Sequence, residues 1–466
     1  MRSSILTFVF LFVFSGVKAQ SEASWVYVDS IEFLGNTRTK ERILLREMTF
    51  FAGDSIPQTR FAAEVERSRQ NLFNLHLFLT VTAQTISFPD GSNRVKVVME
   101  VKEKLYFFSL PIFYLADRNF SEWWYERGRD LRRTTYGLNT HHDNLTGNND
   151  KMQLRLYGGF IPYYELTYGR PYIDKKQRLG IQGGVFFSTQ RSLPYRTWED
   201  KLDFIRAEER VRQRTGAFVR YNYRANLYHF HSLHTGYTDM QVADTIALLN
   251  PNYFLNGATR QRFFTVSYDY RLDRRDNKQY ALKGDVLFAQ ITYQHILDLP
   301  NPSLTSIQAG IVEYIPLSKR WFFDGSVRFR HSFPDLQPYV QTVGLGFSAN
   351  LVRGYELNVI DGQTFFLGKT NFKYKLFDKV FDLSKLIKIK QFNTLPVASY
   401  AVFYADAGYV RNTVPQNSNT SLGNRWLYGG GVGLDIITFY NTIGRFNYSV
   451  NREGEGRVYF TVVRGF

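Results

Sequence analysis

Phe263-Phe264-Thr265-Val266-Ser267-Tyr268-Asp269-Tyr270-Arg271 is the stretch of sequence that decides the fold. The side chains at positions 264, 266, 268 and 270 are aromatic or aliphatic, whereas those at 265, 267 and 269 are polar. Successive side chains of a β-strand point to opposite faces of its sheet. The alternation therefore predicts a strand with one face toward lipid and the other toward a wet lumen, as in a membrane-spanning barrel.

Segments of this kind recur through residues 104–466, and 217–224, 286–293 and 321–330 are clear examples. We count about 16 of them, and single-chain bacterial barrels have an even number of strands. Each strand and its connection then has about 23 residues, which is enough for tilted spans of about 9 to 11 residues. The sequence predicts a transmembrane antiparallel β-barrel of about 16 strands.

The connections between these segments alternate in length. The short ones, which are expected to be periplasmic turns, are 146–149, 174–177, 225–228, 318–320 and 440–442. The long ones, which are expected to be surface loops, are 191–216, 243–259 and 333–362. Residues 378–396 depart from this alternation, because they form a long connection at a predicted periplasmic position.

Composition excludes several classes of function. The chain has 41 Phe and 31 Tyr among 466 residues, no apolar run that approaches 18 residues, and no Cys. Without Cys there are no disulfides, no thiolate metal sites and no Cys nucleophile. The formal net charge is +16, but Lys and Arg are scattered through strand-like segments, so nucleic acid is not expected as a partner.

Residues 1–19 have the pattern of a secretion signal. Arg2 supplies a positive start, Ile5–Phe14 is nearly all apolar, and Val17-Lys18-Ala19 offers small residues for cleavage before Gln20. The apolar run is too short to span a bilayer, and no Cys follows for lipid attachment. The expected mature chain is exported without a lipid anchor at its start.

Residues 24–103 predict a small α+β domain in the order strand, helix, helix, strand, strand. The first strand, 26–33, is closed by Gly35-Asn36, and Thr37 or Thr39 can cap the first helix. The second helix begins beyond Pro57. The last two strands are expected at 77–86 and 95–101.

This segment resembles a POTRA domain, the polypeptide-transport-associated module of outer-membrane assembly proteins. The matching features are Ile31-Glu32-Phe33-Leu34-Gly35-Asn36, the Gly53-Asp54 break, Leu72-Phe73-Asn74-Leu75 leading into Phe78, and Val97–Glu103. The resemblance implies a single periplasmic domain ahead of the barrel.

Three strings in the barrel resemble motifs of the outer-membrane protein assembly factor superfamily, of the BamA/TamA type. Val352-Arg353-Gly354-Tyr355-Glu356 is similar to the family's sixth-loop signature and lies in a loop near 333–363, between strands eleven and twelve. Asp273-Arg274-Arg275-Asp276-Asn277 followed by Gly284 looks like the turn between strands eight and nine, although Ala281 stands where Pro is usual. Tyr404-Ala405-Asp406-Ala407-Gly408 looks like the strand-thirteen motif with an inward Asp.

A physical reason connects these strings. Ordering a loop of about 30 residues costs conformational entropy, but Arg353 at its tip can make a bidentate contact with Asp406 in the lumen, where water is restricted. Gly354 permits a tight backbone, and Tyr355 can pack on the barrel wall. Asn371 stands where the family often has an assisting Glu on strand twelve, so that second carboxylate is missing from the motif.

The last strand is expected over 457–466. Tyr459, Phe460 and the terminal Phe466 resemble the C-terminal signal by which barrel proteins are recognised. Val463-Arg464-Gly465-Phe466 matches the loop signature literally, but it has no loop around it.

Other apparent sites lack the neighbouring residues or elements that their motifs require. Residues 362–370 have one residue too many for a phosphate loop and no helix behind them, and 429–433 lack the third dinucleotide-loop glycine. Of His229, His231 and His234, the first two share a strand face and the third points away, so no metal site is expected. The chain has no Gly-x-Ser-x-Gly elbow.

By resemblance, the chain is expected to insert or translocate polypeptides at the bacterial outer membrane, with no catalytic residues and no cofactors. An openable seam between the first strand, near 104–114, and the last would let a client strand pair with an exposed edge. The implied partners are unfolded outer-membrane or secreted polypeptides, outer-membrane lipid and lipopolysaccharide, and accessory periplasmic or lipoprotein subunits.

Three alternatives stay open. A two-partner secretion transporter shares these motifs but typically has two POTRA domains and a plug helix. A lipid-handling barrel of the same family also fits. From another class, a passive porin needs an open lumen, which a tucked sixth loop would partly fill.

Overall fold

The computed structural model describes residues 24–115, 117, 119–299, 303–342, 344–347, 349–385, 394–414, 418–438 and 442–463. The predicted secretion signal at 1–19 and the terminal Phe466 lie outside these residues. No helix in the described part of the chain is long and apolar enough to cross a membrane.

The N-terminal domain is a four-stranded sheet with two helices. Its elements are β1 (Trp25–Leu34), α1 (Glu41–Leu45), β2 (Ser55–Pro57), α2 (Gln58–Phe73), β3 (Phe78–Ser87) and β4 (Arg94–Glu103). The sheet order is β2-β1-β4-β3, and β1 and β4 are parallel. The structure has the predicted order of helices and strands, with the short edge strand β2 in addition.

The first helix begins later than the sequence predicts. Its N-cap is Lys40, so neither Thr37 nor Thr39 has the predicted capping role. Both Thr hydroxyls instead donate to the Glu103 carboxylate at the end of β4, at 2.8 and 2.6 Å. Hydrogen bonds to a charged acceptor are stronger than neutral ones, and these join the start of α1 to the end of the sheet.

The second helix packs through the apolar stripe that its spacing predicts. Phe61, Ser68 and Leu72 are buried, and Val65 is partly buried against the same core. These positions recur at intervals of three and four residues, which places them on one face of an α-helix. The domain therefore has its own hydrophobic core.

The barrel is a single antiparallel sheet of 16 strands, each paired with its neighbours in chain order. The first five are β5 (Phe107–Leu115), β6 (Thr134–Asp143), β7 (Lys151–Gly159), β8 (Tyr163–Arg170) and β9 (Leu179–Gln190). The next eight are β12 (Arg212–Arg224), β13 (His229–Val242), β14 (Arg260–Asp273), β15 (Gly284–Ile296), β16 (Ser303–Pro316), β17 (Trp321–Phe333), β18 (Thr364–Asp382) and β19 (Thr394–Arg411). The last three are β21 (Trp426–Thr438), β22 (Thr442–Asn451) and β23 (Gly456–Val463).

The long connections carry structure of their own. Strands β10 (Ser192–Trp198), β11 (Lys201–Arg206) and β20 (Ser418–Asn419) form a separate small sheet. Two short helices, α3 (Phe120–Tyr125) and α4 (Asp244–Leu249), lie in the connections that follow β5 and β13.

The two faces of the barrel strands differ as the alternation predicts. On β14, Phe264, Val266 and Tyr268 are 51%, 44% and 44% exposed, whereas Ser267 is 5% exposed. The apolar face is thus the outer one. Residues that lie opposite one another on neighbouring strands have their side chains on the same face of the sheet. Ser267 lies opposite His234 on β13, so His234 is on the inner face as well.

The prediction of a long connection at 378–396 is wrong. β18 and β19 continue to pair as far as Asp382 opposite Thr394, so they are 19 and 18 residues long. Continued pairing satisfies the backbone N–H and C=O groups that a loop would leave to water. Residues 212–216, which the sequence assigned to a loop, likewise belong to β12.

Candidate functional site

The sixth loop, which is the long connection between β17 and β18, lies against the inner face of the barrel. Val352 and Tyr355 are 1% and 2% exposed. They share a buried cluster with side chains from the strands on either side, including Phe365, Val410 and Leu427. The loop therefore has an apolar anchor of its own, independent of its charged residues.

Arg353 at the tip of the loop makes the contact that the motif predicts. Its Nε and Nη2 donate to the two carboxylate oxygens of Asp406 on β19, at 2.8 and 2.5 Å. Its backbone N–H donates to the same carboxylate at 3.0 Å. The guanidinium also lies 3.8 Å above the Tyr404 ring, a cation–π contact. Asp406 has no exposed side-chain surface, so water competes little for this pair.

Asn371 extends the contact to a second carboxylate on the neighbouring strand. Its amide oxygen accepts from Arg353 Nη1 at 2.6 Å, and its amide nitrogen donates to Asp324 on β17 at 2.7 Å. Asp324 in turn pairs with Lys373 at 2.7 Å. The missing strand-twelve carboxylate is thus replaced by an amide that relays to Asp324, a residue that the sequence analysis missed.

Glycines let the loop backbone approach the wall closely. A Cβ at Gly429 on β21 would overlap the Arg353 carbonyl oxygen, and one at Gly408 on β19 would lie 2.5 Å from the Val352 side chain. Gly354 itself has a φ of +98°, which non-glycine residues rarely adopt. The glycine run at 429–433 resembles a dinucleotide motif in the sequence only in part. In the structure, its first residue, Gly429, lies against the backbone of the sixth loop.

Glu356 and Tyr355 complete the anchor. A Glu356 carboxylate oxygen accepts from the Gly354 N–H at 2.8 Å. Burial of Glu356 raises its pKa to about 7. The Tyr355 hydroxyl donates to Glu453 in the turn after β22. The loop is therefore tied to β18, β19 and the last hairpin of the barrel.

Helix α3 joins this loop to the last strand. The Asn119 amide donates to the Glu356 carbonyl at 2.9 Å. The Phe120 ring lies 6.3 Å from Phe460 on β23, and the Arg457 guanidinium lies 5.3 Å from the Tyr125 ring. Tyr459, another of the predicted C-terminal signal residues, is 4% exposed.

The predicted turn between β14 and β15 is built around two carboxylates. Arg275 makes a bidentate contact with Asp273, at 2.9 and 2.7 Å. Asp276 Oδ1 accepts backbone N–H groups of residues 277, 282 and 283. Gly284 follows with a φ of +101°. The Asp276 carbonyl accepts from Asn74 of the N-terminal domain at 3.3 Å, so this turn is also a docking point.

A buried ion pair holds the N-terminal domain against the barrel. Glu47, after α1, is 2% exposed and makes a bidentate contact with Arg224 at the end of β12. Tyr172, in the connection between β8 and β9, donates to Glu47 at 3.4 Å. Arg67 of α2 adds a 2.9 Å hydrogen bond to the Tyr228 hydroxyl.

The histidines of β13 lie as the strand alternation predicts. His229 and His231 contact the hydroxyls of Tyr270 and Tyr268 at 2.8 and 2.7 Å, whereas His234 lies opposite Ser267, on the other face of the sheet. Among the residues that the structure describes, no group of three His, Cys, Asp or Glu side chains could hold a metal ion.

Comparison with known protein families shows the family to which this chain belongs. The Omp85 superfamily domain matches residues 144–462, and the POTRA model, described as a surface antigen variable number repeat, matches residues 26–104. The chain belongs to the Omp85 superfamily. It combines one POTRA domain with the 16-stranded barrel, and this family places the barrel in the outer membrane.

Solved structures agree with this fold. BamA from Haemophilus ducreyi lacking POTRA domains 1–3 superimposes with a TM-score of 0.53 and 15% sequence identity, over 94% of this chain and 84% of that one. CdiB from Escherichia coli gives a TM-score of 0.52 and 12% identity, over 94% and 75%. No curated protein sequence matches the chain.

Proposed function

We propose that this Omp85 barrel inserts or translocates polypeptides at the outer membrane through a seam between β5 and β23. These two strands are the first and last of the 16-stranded order. The supporting observation is the pairing pattern of the described residues. Every other strand of the barrel pairs with two neighbours, whereas β5 pairs with β6 alone and β23 pairs with β22 alone.

The proposed mechanism is strand addition. A parted seam exposes backbone N–H and C=O groups along β5 and β23, and an extended client strand can satisfy them. A bare amide in lipid costs several kcal/mol, so a client that pairs at the seam enters the membrane without that penalty. This work needs no covalent chemistry, and we propose that the protein is not an enzyme.

The POTRA domain is proposed to lie in the periplasm, on the side of the short turns. It contacts the turns around residues 147, 177, 228 and 276. An extended client can reach its edge strand β3 before it reaches the barrel. The proposed clients are unfolded outer-membrane or secreted polypeptides, with lipid, lipopolysaccharide and accessory subunits as further partners.

Site-specific photo-crosslinking in living cells tests the proposal. Probes at Phe113 on β5 and Val458 on β23 replace outward side chains that are 69% and 57% exposed. Val185 on β9, which is 56% exposed, provides a matched control away from the seam. We expect polypeptide clients to be trapped at the first two positions and not at the third. Crosslinks that join only β5 to β23 would contradict the proposal.

A passive porin is the alternative from another class, and the anchored sixth loop disfavours it. Conductance in planar bilayers separates the two. A large, steady pore that Arg353→Ala leaves unchanged would favour the porin. A two-partner secretion transporter is disfavoured because such proteins typically carry two POTRA domains, whereas one POTRA match is found here. A lipid-handling role would instead show as crosslinks to lipid at the seam positions.

A further inference from the structure

A cavity of about 480 Å³ lies in the lumen at the end that faces the POTRA domain. Its wall is formed by inward side chains of β12, β13, β14 and β15, and by the connection between β8 and β9. This volume lies within the range of small-molecule sites. No residue of the sixth loop or of the proposed seam strands β5 and β23 lines the cavity, so nothing in the proposed function uses it.

Two polar rows cross this wall because the strands are in register. In the first row, Arg220 lies opposite His234, which lies opposite Ser267. In the second row, Asn222, Ser232, Asp269 and Gln290 lie opposite one another in turn. All seven side chains therefore belong to one face of four adjacent strands and line the cavity together.

The cavity carries an excess of positive charge. Arg178, Arg220, Arg224 and Arg271 line it, and Asp269 is the carboxylate among its lining residues. Arg224 is neutralised by Glu47, and Arg271 lies 3.5 Å from Asp273. Asp269 accepts a hydrogen bond from Gln290 at 2.5 Å. Arg220 has no ion-pair partner among the described residues.

Polar atoms around the cavity are buried yet make no hydrogen bond to described protein groups. They are Arg220 Nε, Ser232 Oγ and His234 Nδ1. A buried polar group without a partner costs free energy, so most such groups in native proteins are paired. Three on adjacent strands, around one cationic cavity, indicate a site for a ligand that accepts hydrogen bonds.

We propose that this cavity binds a phosphate group, with Arg220 as its principal ligand and Ser232 and His234 as hydrogen-bonding partners. A guanidinium presents a planar fork that matches the oxygens of a phosphate, and such bonds are charge-assisted. Tyr172 and Phe230 in the same wall supply apolar surface for an organic portion of the ligand. A soluble phosphate ester and a phospholipid headgroup share this chemistry.

The test uses the full-length chain in a neutral detergent. Binding of glycerol 3-phosphate is measured by isothermal titration calorimetry, and co-purified phospholipid is measured by native mass spectrometry. The test variant is Arg220→Gln, and Arg220→Lys keeps the charge but removes the fork. The control is Arg214→Gln on the same strand face, because Arg214 stacks on Phe186 and has no ion pair among the described residues.

We expect one phosphate-bearing molecule per chain, with affinity at least ten-fold weaker in Arg220→Gln, intermediate in Arg220→Lys and unchanged in Arg214→Gln. Binding of glycerol 3-phosphate identifies a soluble ester as a ligand, and retained lipid alone identifies a headgroup. Absence of both, or equal losses in Arg220→Gln and Arg214→Gln, would overturn the proposal. Heat-modifiable migration in gels verifies that each variant is folded.

Discussion

Asp406 is the residue on which the position of the sixth loop depends most. Its carboxylate accepts three hydrogen bonds from Arg353 and has no exposed surface. A second cation, Lys369 on β18, lies 3.8 Å away. Without the carboxylate, two cations would remain close together in a restricted space. Removing one partner of a buried pair is more costly than the pair is worth in net stability.

Asp406→Asn is therefore expected to lower the free energy of unfolding by about 3–5 kcal/mol. It should also expose the loop to protease, because the tip loses its anchor. Denaturant unfolding followed by Trp fluorescence, together with limited proteolysis near residue 353, measures both effects. Asp269→Asn is the control, since Asp269 faces the lumen without an ion pair among the described residues. Equal stability losses in the two variants would refute the special role of Asp406.

The sequence predicts the Arg353–Asp406 pair because each residue lies in a recognisable motif. Asp324 could not be found in that way. It reaches the site only through the register that places it opposite Asn371 on the next strand. A shift of one residue would turn its side chain to the lipid face, and no local pattern fixes that register.

Helix α3 is the element that ties the start of the barrel to its end. It follows β5 in the chain, yet its Phe120 and Tyr125 contact β23. No pattern in the sequence predicts this helix. Its aromatic residues are typical of strands, and six residues are too few for a helical period to be recognised.

Replacing residues 120–125 with Gly and Ser is expected to increase amide hydrogen exchange along β23. The helix covers part of that strand, and its loss should make local opening easier. Exchange of peptides that span 456–463, measured by mass spectrometry in detergent, gives the result. The matched control replaces α4, another six-residue helix, whose buried Ile246 packs in a different cluster. If both replacements change β23 equally, α3 has no specific role at the seam.

At the scale of the whole molecule, the POTRA domain is fixed to the barrel and not merely tethered to it. The Glu47–Arg224 contact joins residues 177 positions apart in the chain. Each domain could be predicted from its own alternation and motifs. Their docking could not, because neither Glu47 nor Arg224 belongs to a motif, and the pair forms only when both folds are complete.

This docking should weaken in acid because of His76, which follows α2. Burial, together with the nearby charges of Lys104 and Lys278, lowers the His76 pKa from 6.5 to about 3. A group whose pKa is lower in the docked state than in the released state favours docking in full at pH values above its ordinary pKa. That stabilisation is then lost as the pH falls from about 6.5 toward 3, because the released domain takes up a proton that the docked one resists.

The distance between spin labels at Ser87→Cys and Lys175→Cys measures the docking. The labels attach only at these two positions, since the chain has no other Cys. We expect the distance distribution between the labels to broaden and lengthen at pH 5.0 relative to pH 7.5. His76→Asn is the matched control, because Asn does not titrate and tolerates the φ of +61° found at this position. The control should stay docked at both pH values. An equal shift in the control would show that His76 is not the source of the pH response.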